Sequence, residues 1–172
     1  MAAIRKLLDG LYLAGGILGA LSLVIILILV VLQMVARWSG EVAPGIPEYA
    51  GYFMASSAFL AFAYALNKGA HIRVGLLLQA LGDKRKWLEI WCFAIGSGLA
   101  IYFSYYAIKA VYWSQKLNDI SQGQDATPLW IPQLSMAVGA VLLAIAMLDH
   151  LVQLIFTGEH GIDSDALESH AE

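Results

Sequence analysis

Charged side chains are scarce in this chain: Asp, Glu, Lys and Arg make up 13% of the 172 residues, whereas hydrophobic residues make up 60%. The mean hydropathy is +0.71, and a water-soluble domain of this composition would expose far too much apolar surface. The long apolar runs also lack the polar stripe that surface helices of a soluble protein carry. The composition therefore predicts an all-α integral membrane protein.

Cysteine is nearly absent, since Cys92 is the only one, and this excludes an intramolecular disulfide and a CxxC redox pair. We expect Cys92 to be a small buried hydrophobe. The four His residues show no zinc spacing, and neither a nucleophile with its base nor a Gly-rich phosphate loop is recognisable. The sequence thus predicts no enzymatic activity, no cofactor or metal site in this chain and no nucleic-acid partner.

Two other functions need features that the sequence has little of. A haem or quinone redox membrane anchor needs axial His residues inside the membrane, and only His150 lies near an apolar segment, where we expect it at the interface beside Asp149. A free-standing transporter would show carboxylates near mid-membrane or paired broken helices in two repeated halves. Both functions remain alternatives at this point.

Four apolar segments are long enough to cross a bilayer, since roughly 20 residues suffice. Pro47 and Glu48 open the second segment, and Thr127 is expected to cap the fourth, with Pro128 just inside it. These segments define a membrane domain over residues 1–158, and the acidic tail over 159–172 is expected to be disordered and cytoplasmic. The predicted spans cover about residues 11–36, 49–67, 87–113 and 129–156.

The distribution of basic residues predicts the orientation, because Lys and Arg near the spans are held on the cytoplasmic side. Both termini should therefore be cytoplasmic, with the connections over about 37–48 and 114–128 outside. Aromatic residues near the outer end of the third span, from Tyr102 to Trp113, agree with an interfacial belt. Seven of the ten basic residues fall on the side of the termini: Arg5, Lys6, Lys68, Arg73, Lys84, Arg85 and Lys86.

The segment between the second and third spans contains a short apolar run, HIRVGLLLQAL, over residues 71–81. As a helix it would be about 16 Å long, roughly half the bilayer core, so it is predicted to be an arm helix lying along the cytoplasmic interface. Arg73 and the basic triplet 84–86 would then lie among anionic lipid headgroups, at about 1 kcal/mol each. The apolar residues point in nearly every direction, so the arm packs either on the bundle or on another protein: Ile72, Val74, Leu76, Leu77, Leu78 and Leu81.

Small residues recur at helical spacing, with Gly15 and Gly19 forming a GxxxG pattern in the first span. Such residues let helix backbones approach closely. The pattern fits packing within the bundle and also fits a face for a partner helix.

Several of these features together resemble the small membrane subunit of the tripartite ATP-independent periplasmic (TRAP) transporters, the DctQ type. Arg37 ends the first span, Glu48 opens the second, and the second span ends in NKGAHIRVGLLLQAL. The most specific part of the resemblance is Lys68-Gly69 followed by residues 71–74, His-Ile-Arg-Val. The similarity covers about residues 5–156.

The resemblance implies a non-catalytic scaffold subunit in a bacterial inner membrane. Its partners would be a large DctM-type membrane subunit, which holds the sodium and substrate sites, and a soluble periplasmic DctP-type protein, which delivers an organic acid. Sodium would therefore belong to the partner subunit. Arg37 and Glu48 would be charges on the periplasmic side, where the outer loops help to dock the binding protein. The residues implied in contact with the large subunit or with membrane lipids are Lys68, His71, Ile72, Arg73, Val74, Leu76, Leu77, Lys84, Arg85 and Lys86.

Overall fold

The computed structural model describes residues 2–41, 43–68 and 85–157. Within these ranges the chain forms four helices and no strand, apart from one isolated bridge between Ile120 and Pro128. All four helices are long and apolar enough to cross a membrane, which confirms the predicted fold class. The helices are α1 (Ala2–Trp38), α2 (Ile46–Asn67), α3 (Arg85–Leu117) and α4 (Trp130–Thr157).

Two of the helices are longer than the predicted spans by six residues or more. With 37 residues, α1 is about 55 Å long, and the 33 residues of α3 give about 50 Å, so both extend beyond a bilayer core of about 30 Å. The predicted arm over 71–81 and the tail over 159–172 lie outside the described residues. Cys92 is exposed, so its prediction as a buried residue is wrong for this chain taken alone.

The start of α2 is built around a glycine and a proline. Gly45 precedes the helix with φ at 83°, a left-handed conformation that costs a residue without a Cβ very little. Pro47 lies in the first turn, where its missing N–H needs no partner, and Glu48 in the same turn faces the positive end of the helix dipole. By contrast, Thr127 is not the cap of α4, because α4 begins only at Trp130.

The helices pack as a row rather than as a closed bundle. α1 packs mainly on α2, α2 also packs on α4, and α3 packs on α4. The order across the row is therefore α1, α2, α4, α3, and the two outer helices each have one principal neighbour. The described connecting residues, 39–41 with 43–45 and 118–129, lie together at one end of the row, which we call the connection end.

Glycines set the closest approaches within the row. A Cβ on Gly15 would lie 2.7 Å from the carbonyl oxygen of Leu60, and one on Gly139 would lie 2.5 Å from the carbonyl oxygen of Phe59. Gly19 likewise faces Ser57 and Ala61 on α2. The GxxxG pattern of α1 is thus used inside the chain, as contact with α2.

The remaining contacts between helices are small and largely apolar. A core of buried residues joins α1, α2 and α4 near the end opposite the connections: Tyr12, Ala63, Leu66, Leu142 and Ala146. Nearer the connection end, the hydroxyls of Ser56 and Ser135 lie 2.6 Å apart and join α2 to α4. Hydrogen bonds between helices contribute about 0.6 kcal/mol on average in membranes, so close packing carries most of the association.

Two glycine substitutions should therefore differ sharply in effect. Gly139→Ala forces the Phe59 backbone away from α4, and overpacking of this kind costs roughly 1–3 kcal/mol. Gly98→Ala is the matched control, because a Cβ there meets nothing within 4 Å. We expect a lower midpoint of thermal unfolding in detergent for Gly139→Ala only. Equal midpoints for the two variants would contradict the close contact of α2 and α4.

Candidate docking surface at the connection end

The connection from α3 to α4 folds back on itself as a narrow loop. The Ser121 N–H donates to the carbonyl of Thr127 at 2.8 Å, and the Leu129 N–H donates to the carbonyl of Asp119 at 3.0 Å. Ala126 closes the loop with φ at 47°, in the left-handed region. These bonds hold residues 119–129 as one compact unit above the ends of the helices.

Tyr52 of α2 anchors this loop through its hydroxyl. Its Oη lies 2.9 Å from Oδ2 of Asp125 and 2.8 Å from Oγ of Ser121. A phenol has one hydrogen, so we assign Tyr52 as the donor to the carboxylate and as the acceptor from Ser121. Ser121 Oγ in turn accepts the N–H of Gly123 at 3.2 Å. The result is a continuous hydrogen-bonded chain from the loop backbone to Asp125.

The environment of Asp125 favours its charged form. Burial alone would raise the pKa of this carboxyl, but its hydrogen bonds, including the one that it accepts from Tyr52, outweigh burial and hold the pKa below its usual value. A carboxyl whose pKa is lowered by folding stabilises the folded state above its unfolded pKa and loses that contribution as the pH falls. The anchored loop should accordingly persist through the neutral and mildly acidic range.

The first turn of α2 makes two further contacts with the loop. Oε1 of Glu48 accepts the N–H of Gln124 at 3.4 Å, and the hydroxyl of Thr127 donates to Oη of Tyr49 at 3.1 Å. Position 123 requires a glycine, because a Cβ there would lie only 2.5 Å from Cγ of Glu48 and would clash with it. The loop therefore covers the start of α2 along one side.

On the other side of Glu48, an open pocket of about 360 Å³ lies between the ends of α1 and α2. Its charged residues are Arg37, Glu41 and Glu48, and the exposed side chain of Gln124 reaches it from the loop. A pocket with one cation, two carboxylates and two amides can form ion pairs and hydrogen bonds with the surface of another protein. Its full lining is Gln33, Ala36, Arg37, Glu41, Ala43, Pro44, Gly45, Pro47, Glu48 and Gln124.

Both predicted charges of this end, Arg37 and Glu48, thus lie in one pocket. They are not paired with each other among the described residues, because Oε1 of Glu48 bonds to Gln124 and its buried Oε2 has no hydrogen-bond partner there. Lys68 directly follows α2 at the opposite end, where its N–H donates to the carbonyl of Tyr64 at 3.0 Å. Arg85 and Lys86 begin α3.

The other predicted arm residues lie outside the described part of the chain: His71, Ile72, Arg73, Val74, Leu76, Leu77 and Lys84.

Sequence reasoning missed the residues that anchor the loop, above all Tyr52 and Asp125. The available signal was weak: a tyrosine one turn inside a span, and a polar connection containing two acids. Sequence reasoning also did not show that His150 is packed between helices: only 1% of it is exposed, and its ring lies 6.1 Å from that of Phe93, between α3 and α4. Across residues 2–41, 43–68 and 85–157, no three His, Cys, Asp or Glu side chains come together as a metal site.

Comparison with protein families gives one match. The model of the family described as tripartite ATP-independent periplasmic transporters, DctQ component, matches residues 26–157. The matched range includes the end of α1 and all of α2, α3 and α4. No curated protein and no solved structure matches the chain.

The anchoring role of Tyr52 is tested by Tyr52→Phe, which keeps the ring and removes the hydroxyl. A lost hydrogen bond costs about 1 kcal/mol, which lowers the midpoint of thermal unfolding by roughly 2–4 °C in a chain of this length. The variant should also be cleaved faster by protease in the 119–129 loop, most clearly near neutral pH, where Asp125 is charged and accepts this hydrogen bond. The control is Ser39→Ala, whose exposed hydroxyl bonds only to its own helix end. Unchanged cleavage in Tyr52→Phe would show that the loop does not depend on this hydroxyl.

Proposed function

The chain belongs to the DctQ component family of the TRAP transporters, and on this premise we propose that it is the scaffold subunit of a sodium-driven importer of an organic acid. The single observation that carries the proposal is the family match over residues 26–157. In the proposed complex a large DctM-type membrane subunit binds sodium and substrate. A periplasmic DctP-type protein delivers the organic acid, and the assembly lies in a bacterial inner membrane.

The architecture supports a scaffold role. Within the described helices the carboxylates lie among the first or last nine residues of their helix, as Asp9, Glu48, Glu89 and Asp149 do. Small residues such as Gly139 and Ser57 lie instead in the middle of the helices, where the helix backbones approach each other most closely. This arrangement fixes helices against each other, and the proposal places ion and substrate binding in the large subunit.

The connection end supports a docking role for the same subunit. The orientation expected from the basic residues places this end in the periplasm. Arg37 and Glu41 there line an open pocket beside a loop that Tyr52 anchors. A preorganised polar surface loses less conformational entropy when a partner binds. We propose that the periplasmic binding protein docks on this surface.

The arm over 71–81 is proposed to brace the large subunit at the cytoplasmic interface. Its apolar residues are too many for lipid on one side alone to cover, which favours a protein contact. Leu76→Glu or Leu77→Glu would then bury a carboxylate in an apolar contact, at a cost of several kcal/mol. We expect both variants to insert at normal levels, because the four spans still anchor the chain.

The readouts are recovery of the large subunit with the tagged chain and uptake of the organic acid by cells. Both should fall for Leu76→Glu and Leu77→Glu. Gln79→Glu is the matched control, since it places the same charge at a position that is already polar. Normal recovery and normal uptake with both leucine variants would refute the bracing role.

A further inference from the structure

Three tyrosines on α3 form an exposed cluster that neither the family match nor the proposed function explains. Tyr102, Tyr105 and Tyr106 are 62%, 61% and 48% exposed. Their rings contact one another, with centroids 4.7 Å apart for Tyr102 and Tyr106 and 5.4 Å apart for Tyr105 and Tyr106. We call these three residues the tyrosine cluster. α3 packs on α4, and the buried residues Ser97, Ala100 and Ser104 mark its packed side. The tyrosine cluster lies on the opposite side of α3.

The depth of the tyrosine cluster differs from the interfacial position that the sequence suggested. α3 continues to Leu117, so Tyr102 lies about 22 Å from the helix end, close to the middle of α3. The neighbouring Phe103 stacks on Phe59, with centroids 5.8 Å apart and an interplanar angle of 2°. Phe59 lies well inside α2, which itself is only long enough to cross the bilayer core. The tyrosine cluster is therefore level with the hydrocarbon.

The hydroxyls of the tyrosine cluster cannot reach water from this depth. Helical side chains lean toward the N-terminus of their helix, which for α3 means away from the Leu117 end. In the described part of the chain no hydrogen bond involves Oη of Tyr102, Tyr105 or Tyr106. A phenol hydroxyl without a partner in hydrocarbon is destabilising, whereas phenylalanine would present the same ring to lipid without this cost.

The opposite outer helix shows what a lipid-facing surface looks like in this chain. α1 exposes mainly leucine, isoleucine and valine, with a hydropathy of 3.0 over its most apolar stretch against 1.3 for α3. The exposed face of α3 also carries Lys109, whose ammonium lies 5.8 Å from the ring centroid of Tyr106. The two outer helices are equally exposed in the isolated chain, yet α1 presents an aliphatic surface and α3 presents a polar aromatic one.

From this contrast we infer that the tyrosine cluster is the contact surface for a transmembrane helix of a second membrane protein. That helix carries hydrogen-bond acceptors, such as hydroxyl, amide or carboxylate oxygens, at the depth of Tyr102 to Tyr106. Tyrosine is enriched in protein interfaces, where its ring packs and its hydroxyl finds a partner. The inference rests on the proposed function for the identity of the occupant, which is the large membrane subunit. α1, on the other side of the row, faces lipid.

Photo-crosslinking in the assembled complex tests this assignment. A benzophenone amino acid is placed at Tyr102 or Tyr105, and at Leu21 or Val24 of α1 as matched exposed positions near mid-helix. The α3 probes should crosslink to the large subunit, and the α1 probes should label lipid only. Labelling of lipid alone, or of a second copy of this chain, from Tyr102 and Tyr105 would overturn the inference.

A second arm of the experiment measures the hydroxyls. The triple variant Tyr102→Phe, Tyr105→Phe and Tyr106→Phe keeps the rings and should lower recovery of the large subunit roughly tenfold, while the chain itself stays at its normal level. Tyr112→Phe, nearer the end of α3, is the control and should change nothing. Full recovery of the large subunit with the triple variant would refute the inference that the partner helix carries hydrogen-bond acceptors for these hydroxyls. If the wild-type chain recovers no large subunit, the proposed function itself fails, and the occupant named here fails with it.

Discussion

Direct contact between helix backbones at two glycines is the constraint on which the rest of the structure depends. Lipid chains are as apolar as leucine, so helices in a bilayer associate through close packing and hydrogen bonds rather than through the hydrophobic effect. Gly15 brings α1 onto Leu60, and Gly139 brings α4 onto Phe59 of the same helix. α2 is thereby held between α1 and α4, and α3 completes the row on the far side of α4.

The polar surface at the connection end follows from this arrangement. Because α2 and α4 are in close contact, the loop that leads into α4 lies directly over the start of α2. Tyr52 can then reach Asp125, a residue 73 positions further along the chain. The same contact sets Gln124 beside Glu48 and completes the pocket that Arg37 enters from α1. A change in the packing of α2 on α4 would therefore shift the loop and the pocket at the proposed docking surface.

Hydropathy and turn residues were sufficient to predict the four membrane-crossing helices that the described residues form. The apolar runs predicted four membrane-crossing helices, and Pro47 with Glu48 predicted where α2 begins. Hydropathy could not predict the order of the helices in the row, because exposed and packed faces of a membrane helix are equally apolar. For the same reason hydropathy could not show that His150 is buried beside Phe93. Thr127 fits the preferences for a helix cap, yet its hydroxyl bonds to Tyr49, a contact set by tertiary structure.

Reconstitution into proteoliposomes tests the scaffold role most directly. The chain, the large subunit and the periplasmic binding protein loaded with its organic acid are combined under an inward sodium gradient, and each component is then omitted in turn. A scaffold subunit predicts sodium-dependent uptake with all three components, none with this chain alone, and a strong loss when only this chain is left out. Uptake by vesicles that contain this chain alone, or undiminished uptake in its absence, would contradict that role.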